Sequence, residues 1–130
     1  MHKNFLKLGA LYGAIAVVLG AFAAHGLSKI VSENDLAVFK TGVQYQMYHS
    51  LALLAVAIVY GQLPTNWIKW SGYFFSFGII FFSGSLYLIT ALQANEKNVP
   101  VLLGIITPIG GLFFICGWVC LLLGAATKNK

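Results

Sequence analysis

Four apolar runs, each close to the roughly 20 residues needed to cross a bilayer, constrain this chain more than any other feature. They cover Leu6–Ala24, Gln44–Gln62, Trp70–Leu92 and Val101–Ala126 and leave little room for anything else. A domain built for water carries roughly 25% charged residues. Here only 8% of the 130 residues are charged and 59% are hydrophobic. The runs lack the two-residue alternation of a membrane barrel, and a spanning backbone must satisfy its own polar groups. The expectation is therefore an all-α fold. It is an integral membrane bundle of four transmembrane helices in a single domain over residues 1–130, with both termini on the same side.

The net charge of +5 comes from lysine alone. A basic chain can suggest nucleic acid, but these lysines stand singly at the ends of the runs and form no patch. No nucleic-acid partner is expected. With four spans, Lys3, Lys7, Lys69, Lys128 and Lys130 share one side of the membrane. Lys29, Lys40 and Lys97 lie on the other, together with Glu33, Asp35 and Glu96. The lysine excess points the N- and C-termini toward the cytoplasm.

The first run imitates a secretory signal, since Lys3 and Lys7 precede it and Ala21-Phe22-Ala23 fits a cleavage pattern. It is longer than the usual 7–15-residue apolar core, and Gly9, Gly13 and Gly20 suit a packed helix. The run reads as a retained span. Cys116 and Cys120, four apart in the last run, read as small packing residues.

Along the chain, Gly9, Gly13, Ala16 and Gly20 form a small-residue face on which another backbone can lie. Ser32 followed by Asp35 marks a helix start near Glu33, and Leu36, Phe39, Val43 and Met47 continue it as one apolar stripe. Pro64 ends the second helix, Trp67 and Trp70 are interface anchors, and Pro100 opens the fourth span. Gly110, Gly117 and Gly124 recur every seven residues, the period of a helix–helix seam. Pro108 cannot donate to the carbonyl of Gly104 and crowds the preceding turn, so a kink and a hydrogen-bond demand are expected there.

No span carries a central Asp, Glu, Lys or Arg, the usual mark of a proton or ion path. The polar candidates are His25, Gln44, Tyr45, Gln46, Tyr48, His49, Tyr87 and Thr107. Counted from the ends of the apolar runs, His49, Tyr87 and Thr107 each lie about 8–9 Å deep in the outer half, with His25 at the rim. These positions suggest a small polar pocket lined by His25, Tyr45, His49 and Tyr87. One face of span two could also supply a donor to the carbonyl freed by Pro108. Against that, His25 alone suits a watery boundary, Tyr45 and Tyr48 suit an aromatic belt, and His49 suits either a working or a purely structural bond.

GAFAAHGL in span one, TGVQYQMYHSLALL in span two, FSGSLYL in span three and TPIGGLFFICGW in span four occur in that order. Together they resemble the signature segments of the small bacterial membrane proteins called the domain of unknown function 423 family, which the animal transmembrane protein 256 also resembles. The resemblance covers all four spans. It maps family motifs onto Gly20, His25, Gly26, Gln46, His49, Ser83, Gly84, Thr107, Pro108, Gly110 and Gly111. It implies a multi-pass protein of the bacterial plasma membrane with no established activity, and brings no catalytic assignment.

Three functions compete. The first is a binding or assembly module that packs against the lipid bilayer, a second copy, another membrane protein or a small amphiphile. The second is an oligomeric transport or permeation element using the His/Tyr face. The third is an enzyme or redox carrier with His25 and His49 as ligands. Their depths differ by about 8 Å, awkward for one metal, and no catalytic triad, carboxylate pair or phosphate loop is visible. The binding reading is favoured; no enzyme activity, metal or cofactor is expected.

Overall fold

The computed structural model describes residues 1–127 and is helical almost throughout. Lys128 and Lys130, which contribute to the charge argument, lie outside the described residues. The elements are α1 (Lys3–His25), α2 (Glu33–Val59), α3 (Asn66–Gly78), α4 (Gly84–Ala94) and α5 (Val101–Ala126). A π-helical turn, Ile79–Ser83, joins α3 to α4 into one span, Asn66–Ala94. All four spans are long and apolar enough to cross a membrane.

Local chemistry sets the helix ends. The Ser32 hydroxyl accepts from the Asp35 N–H at 3.1 Å, and the Thr65 hydroxyl accepts from Ile68 N–H at 3.2 Å, each capping a helix start. The His2 ring caps α1 through Nδ1, which accepts from Phe5 N–H. Three boundaries differ from the sequence expectation. The third span begins at Asn66, four residues before Trp70. α2 stops at Val59, in a turn that precedes Pro64. Pro100 is the capping residue outside α5, not its first helical residue.

The His2 N–H donates to the Ala57 carbonyl at 2.9 Å, which ties the start of α1 to the end of α2. Gly124 near the end of α5 packs on Ile68 near the start of α3. The start of α1 and the end of α5 therefore lie at one end of the bundle. α1 packs on α2, the third span packs on both α2 and α5, and α2 meets α5 chiefly through side chains.

Lipid tails are as apolar as leucine, so helices in a membrane associate through close packing and interhelical hydrogen bonds. Both are visible. Gly110, Gly117 and Gly124 lie against Phe82, Phe75 and Ile68, which are also seven residues apart and run antiparallel. A Cβ on Gly110 would stand 2.3 Å from the Phe82 backbone nitrogen, so α5 touches the π turn itself. On the other side, Gly9 faces Leu54 and the Ser50 carbonyl, Gly13 faces Ser50, and Gly20 faces Val43. Ser71 donates to the Gly117 carbonyl at 2.8 Å and Ser83 to the Gly42 carbonyl at 2.7 Å, both from fully buried positions. Gly104 takes no part: nothing lies within 4 Å of where its Cβ would be.

Candidate functional site

The helical repeat of α2 sorts its polar side chains onto two faces. Phe39, Gly42, Gln46, His49, Leu53 and Val56 point inward, while Tyr45 and Tyr48 stand at the edge that faces α5. His49 is only 4% exposed. Its Nδ1 lies 2.7 Å from the Tyr45 carbonyl, and Trp118 on α5 donates its indole N–H to Nε2 at 3.1 Å. Indole nitrogen is a donor only. Nε2 must therefore accept, and Nδ1 carries the hydrogen that goes to Tyr45. The ring lies flat on Phe114, with centroids 3.6 Å apart and planes 8° apart. Phe75 and Trp118 close its other edges.

Beside this cluster runs a groove of about 780 Å³ between α2 and α5, lined by Tyr45, Tyr48, His49, Phe82, Pro108 and Trp118 among others. Its walls are mostly aromatic. Three irregularities meet at it: the π turn brings Phe82, α5 brings Pro108, and Gly111 leaves one wall without a side chain. π turns are frequent at functional sites.

The four residues expected to line one polar pocket are not brought together. Tyr45 and His49 share the groove. Tyr87 lies against the Phe39–Gly42–Gln46 stripe of α2 and donates to the Gln46 side-chain oxygen at 2.7 Å. His25 is the exposed last residue of α1 and lines no part of the groove. The common outer layer also dissolves. Tyr87 and Thr107 sit near the end of the bundle opposite the termini. His49 packs on Phe114 and Trp118, seven and eleven residues beyond Thr107, about 10–16 Å further along α5. The cause is the start of α2 at Glu33, a full three turns before the apolar run from which depth was counted.

A second correction concerns the turn at Pro108. α5 continues through Pro108. The Ser85 and Thr107 hydroxyls lie 2.6 Å apart, and Thr107 donates to the Leu103 carbonyl at 3.0 Å. Among the described residues no α2 side chain hydrogen-bonds the Gly104 carbonyl, because that turn faces α4 and lipid. The polar contact that this turn makes, Thr107 with Ser85, is to the third span.

Gln46 is a junction: its amide nitrogen donates to the Tyr12 carbonyl on α1 at 2.8 Å while its oxygen accepts from Tyr87 on α4. It ties three helices. Trp118 went unrecognised in the sequence. A donor-only ring inside an apolar run must find an acceptor among the other spans, and that requirement is the signal that could have found it. Cys116 is exposed and Cys120 buried, both as thiols. Among the described residues no three His, Cys, Asp or Glu side chains gather as a metal-ligand set.

A four-span helical bundle, tied together by buried polar bonds and carrying an aromatic groove that opens sideways, defines a multi-pass integral membrane protein. The chain belongs to the family described as "Protein of unknown function (DUF423)", which matches residues 19–111. It is 46% identical over 122 residues to a UPF0382 membrane protein of Staphylococcus saprophyticus, covering 94% of this chain and 96% of that one. It is 41% identical over 124 residues to the UPF0382 membrane protein YwdK of Bacillus subtilis, covering 95% and 96%. Against the UPF0382 inner membrane protein YgdD of Escherichia coli the identity is 38% over 131 residues, covering 100% and 95%. No solved structure matches.

Proposed function

We propose that this protein is a binding module of the bacterial plasma membrane, not an enzyme, and that its α2–α5 groove receives a small amphiphile or an apolar segment of a partner. The observation that carries this reading is the groove itself. Its volume of about 780 Å³ falls within the roughly 300–1,000 Å³ of small-molecule sites. Gly111 leaves one wall bare, and the His49–Trp118 bond fixes two of the groove's lining rings in place. A permeation path draws less support, because Gln46, Ser71, Ser83 and Tyr87 are spent on bonds between helices.

Native mass spectrometry from mild detergent tests the reading. A retained lipid, small molecule or protein in the native chain, lost when Gly111→Leu fills the groove, supports it. An adduct pattern identical in the two proteins counts against it. The Cβ of that substitution meets only Phe82, at 3.8 Å, so the backbone has room for a side chain there.

Both termini are placed in the cytoplasm by the same reading. Every acid lies at the opposite end, and the lysines of the C-terminus add to Lys3, Lys7 and Lys69.

A further inference from the structure

Four of the six tyrosines form two contrasting pairs. Tyr12 and Tyr87 donate their hydroxyls across helices, to the Ser76 carbonyl and the Gln46 side chain. Tyr45 and Tyr48 line the groove, 39% and 52% exposed, and among the described residues neither hydroxyl has a hydrogen-bond partner. At a membrane surface this would need no comment, since water would serve. Their depth removes that answer.

α2 is 27 residues long, about 40 Å against a hydrocarbon layer of about 30 Å. Tyr45 stands twelve residues from Glu33 and fourteen from Val59. With a layer of about 30 Å lying within the length of an upright α2, the Cα of Tyr45 is at least about 9 Å inside it and that of Tyr48 about 7 Å. Those distances exceed a tyrosine side chain, so neither hydroxyl gains the headgroup region. Two donors thus open into a groove within hydrocarbon, where an unmet polar group is costly.

The rest of the lining says what would meet them. His49 has both nitrogens occupied, and the remaining walls are Phe82, Phe114, Trp118, Pro108 and aliphatic side chains. An occupant must therefore be apolar, suited to aromatic faces, and furnished with acceptor oxygens at mid-membrane depth. The ester carbonyls of a phospholipid stay at the headgroup boundary, and an acyl tail has no acceptor. We propose that the groove binds the ring of a lipid-soluble quinone, its carbonyl oxygens accepting from Tyr45 and Tyr48 and its face lying on the aromatic wall. This rests on the groove being a binding site and names the class of ligand it takes.

The test uses the whole chain in mild detergent, with Trp67→Phe and Trp70→Phe so that Trp118 alone reports by fluorescence. A quinone with a short alkyl tail is titrated. Saturable quenching is expected, weakened about tenfold or more in Tyr45→Phe/Tyr48→Phe, which removes two hydrogen bonds. An added phospholipid should not compete at equal concentration. Quenching without saturation, an unchanged affinity in the double variant, or equal competition by phospholipid overturns the proposal. Should a native adduct be lost in Gly111→Leu while the quinone fails to saturate, the groove remains a binding site and the ligand class falls. If the adduct is a protein, its occupant is a partner's backbone and the quinone assignment falls likewise.

Discussion

Trp118 and His49, sixty-nine residues apart, join α5 to α2 by a single hydrogen bond of 3.1 Å. Because the indole can only donate, the bond also settles which nitrogen of His49 carries its hydrogen. Phe114 lies against the ring, so the imidazole is held on both its edge and its face.

Trp118→Phe leaves Nε2 without a donor inside the membrane and should destabilise the protein by about 1 kcal/mol. His49→Phe alone strands the indole and costs a similar amount. The double variant should recover part of the sum, since both partners then become apolar. Unfolding in detergent micelles, analysed as a double-mutant cycle, checks this; strictly additive losses would remove the bond from the account.

The glycine seam makes a graded forecast. Gly110→Ala drives a methyl into the backbone of the π turn, where nothing can move aside, and should cost about 3 kcal/mol or more. Gly117→Ala meets the Phe75 ring at 2.6 Å, a side chain and not backbone, and should cost less, about 1–3 kcal/mol. Gly104→Ala meets nothing and should be neutral or gain up to about 1 kcal/mol of helix propensity. Size-exclusion profiles and melting temperatures of the three variants rank them.

Tyr87→Phe removes the donor to Gln46 and should lower stability by about 1 kcal/mol, and Gln46→Leu by more, because Gln46 serves α1 and α4 at once. Ser28→Ala, whose hydroxyl bonds only the Ala24 carbonyl four residues back at an exposed site, is the control and should change nothing measurable. Equal melting temperatures for Gln46→Leu and Ser28→Ala would mean the junction contributes nothing.

Fusing a reporter that fluoresces only in the cytoplasm to the C-terminus should give a bright cell, and fusing a phosphatase that works only outside should give an inactive one. The reverse pattern would invert the orientation derived from the lysines.

The membrane class, the number of spans and the glycine seam were legible because they depend on spacing along the chain. Twenty apolar residues span a bilayer whatever surrounds them, and Gly110, Gly117 and Gly124 share a face on any helix. The site was less legible. Tyr45 and His49 do line one groove, but His25 and Tyr87 do not join them, since sharing a membrane depth does not mean sharing a face. The depth itself was misjudged because α2 begins well before its apolar run.

What the sequence determined by itself was thus the class: four helical spans, the caps at Ser32 and the small-residue faces, all set within one turn or one helix. What only the tertiary structure decided was partnership. That Trp118 meets His49, that Gln46 bridges Tyr12 and Tyr87, and that Gly110 lies on a π turn depend on the rotation and register of one helix against another. In a membrane no hydrophobic drive between helices sets that register. It comes from which small residues let backbones close and which buried donors find acceptors, and those pairings join residues tens of positions apart.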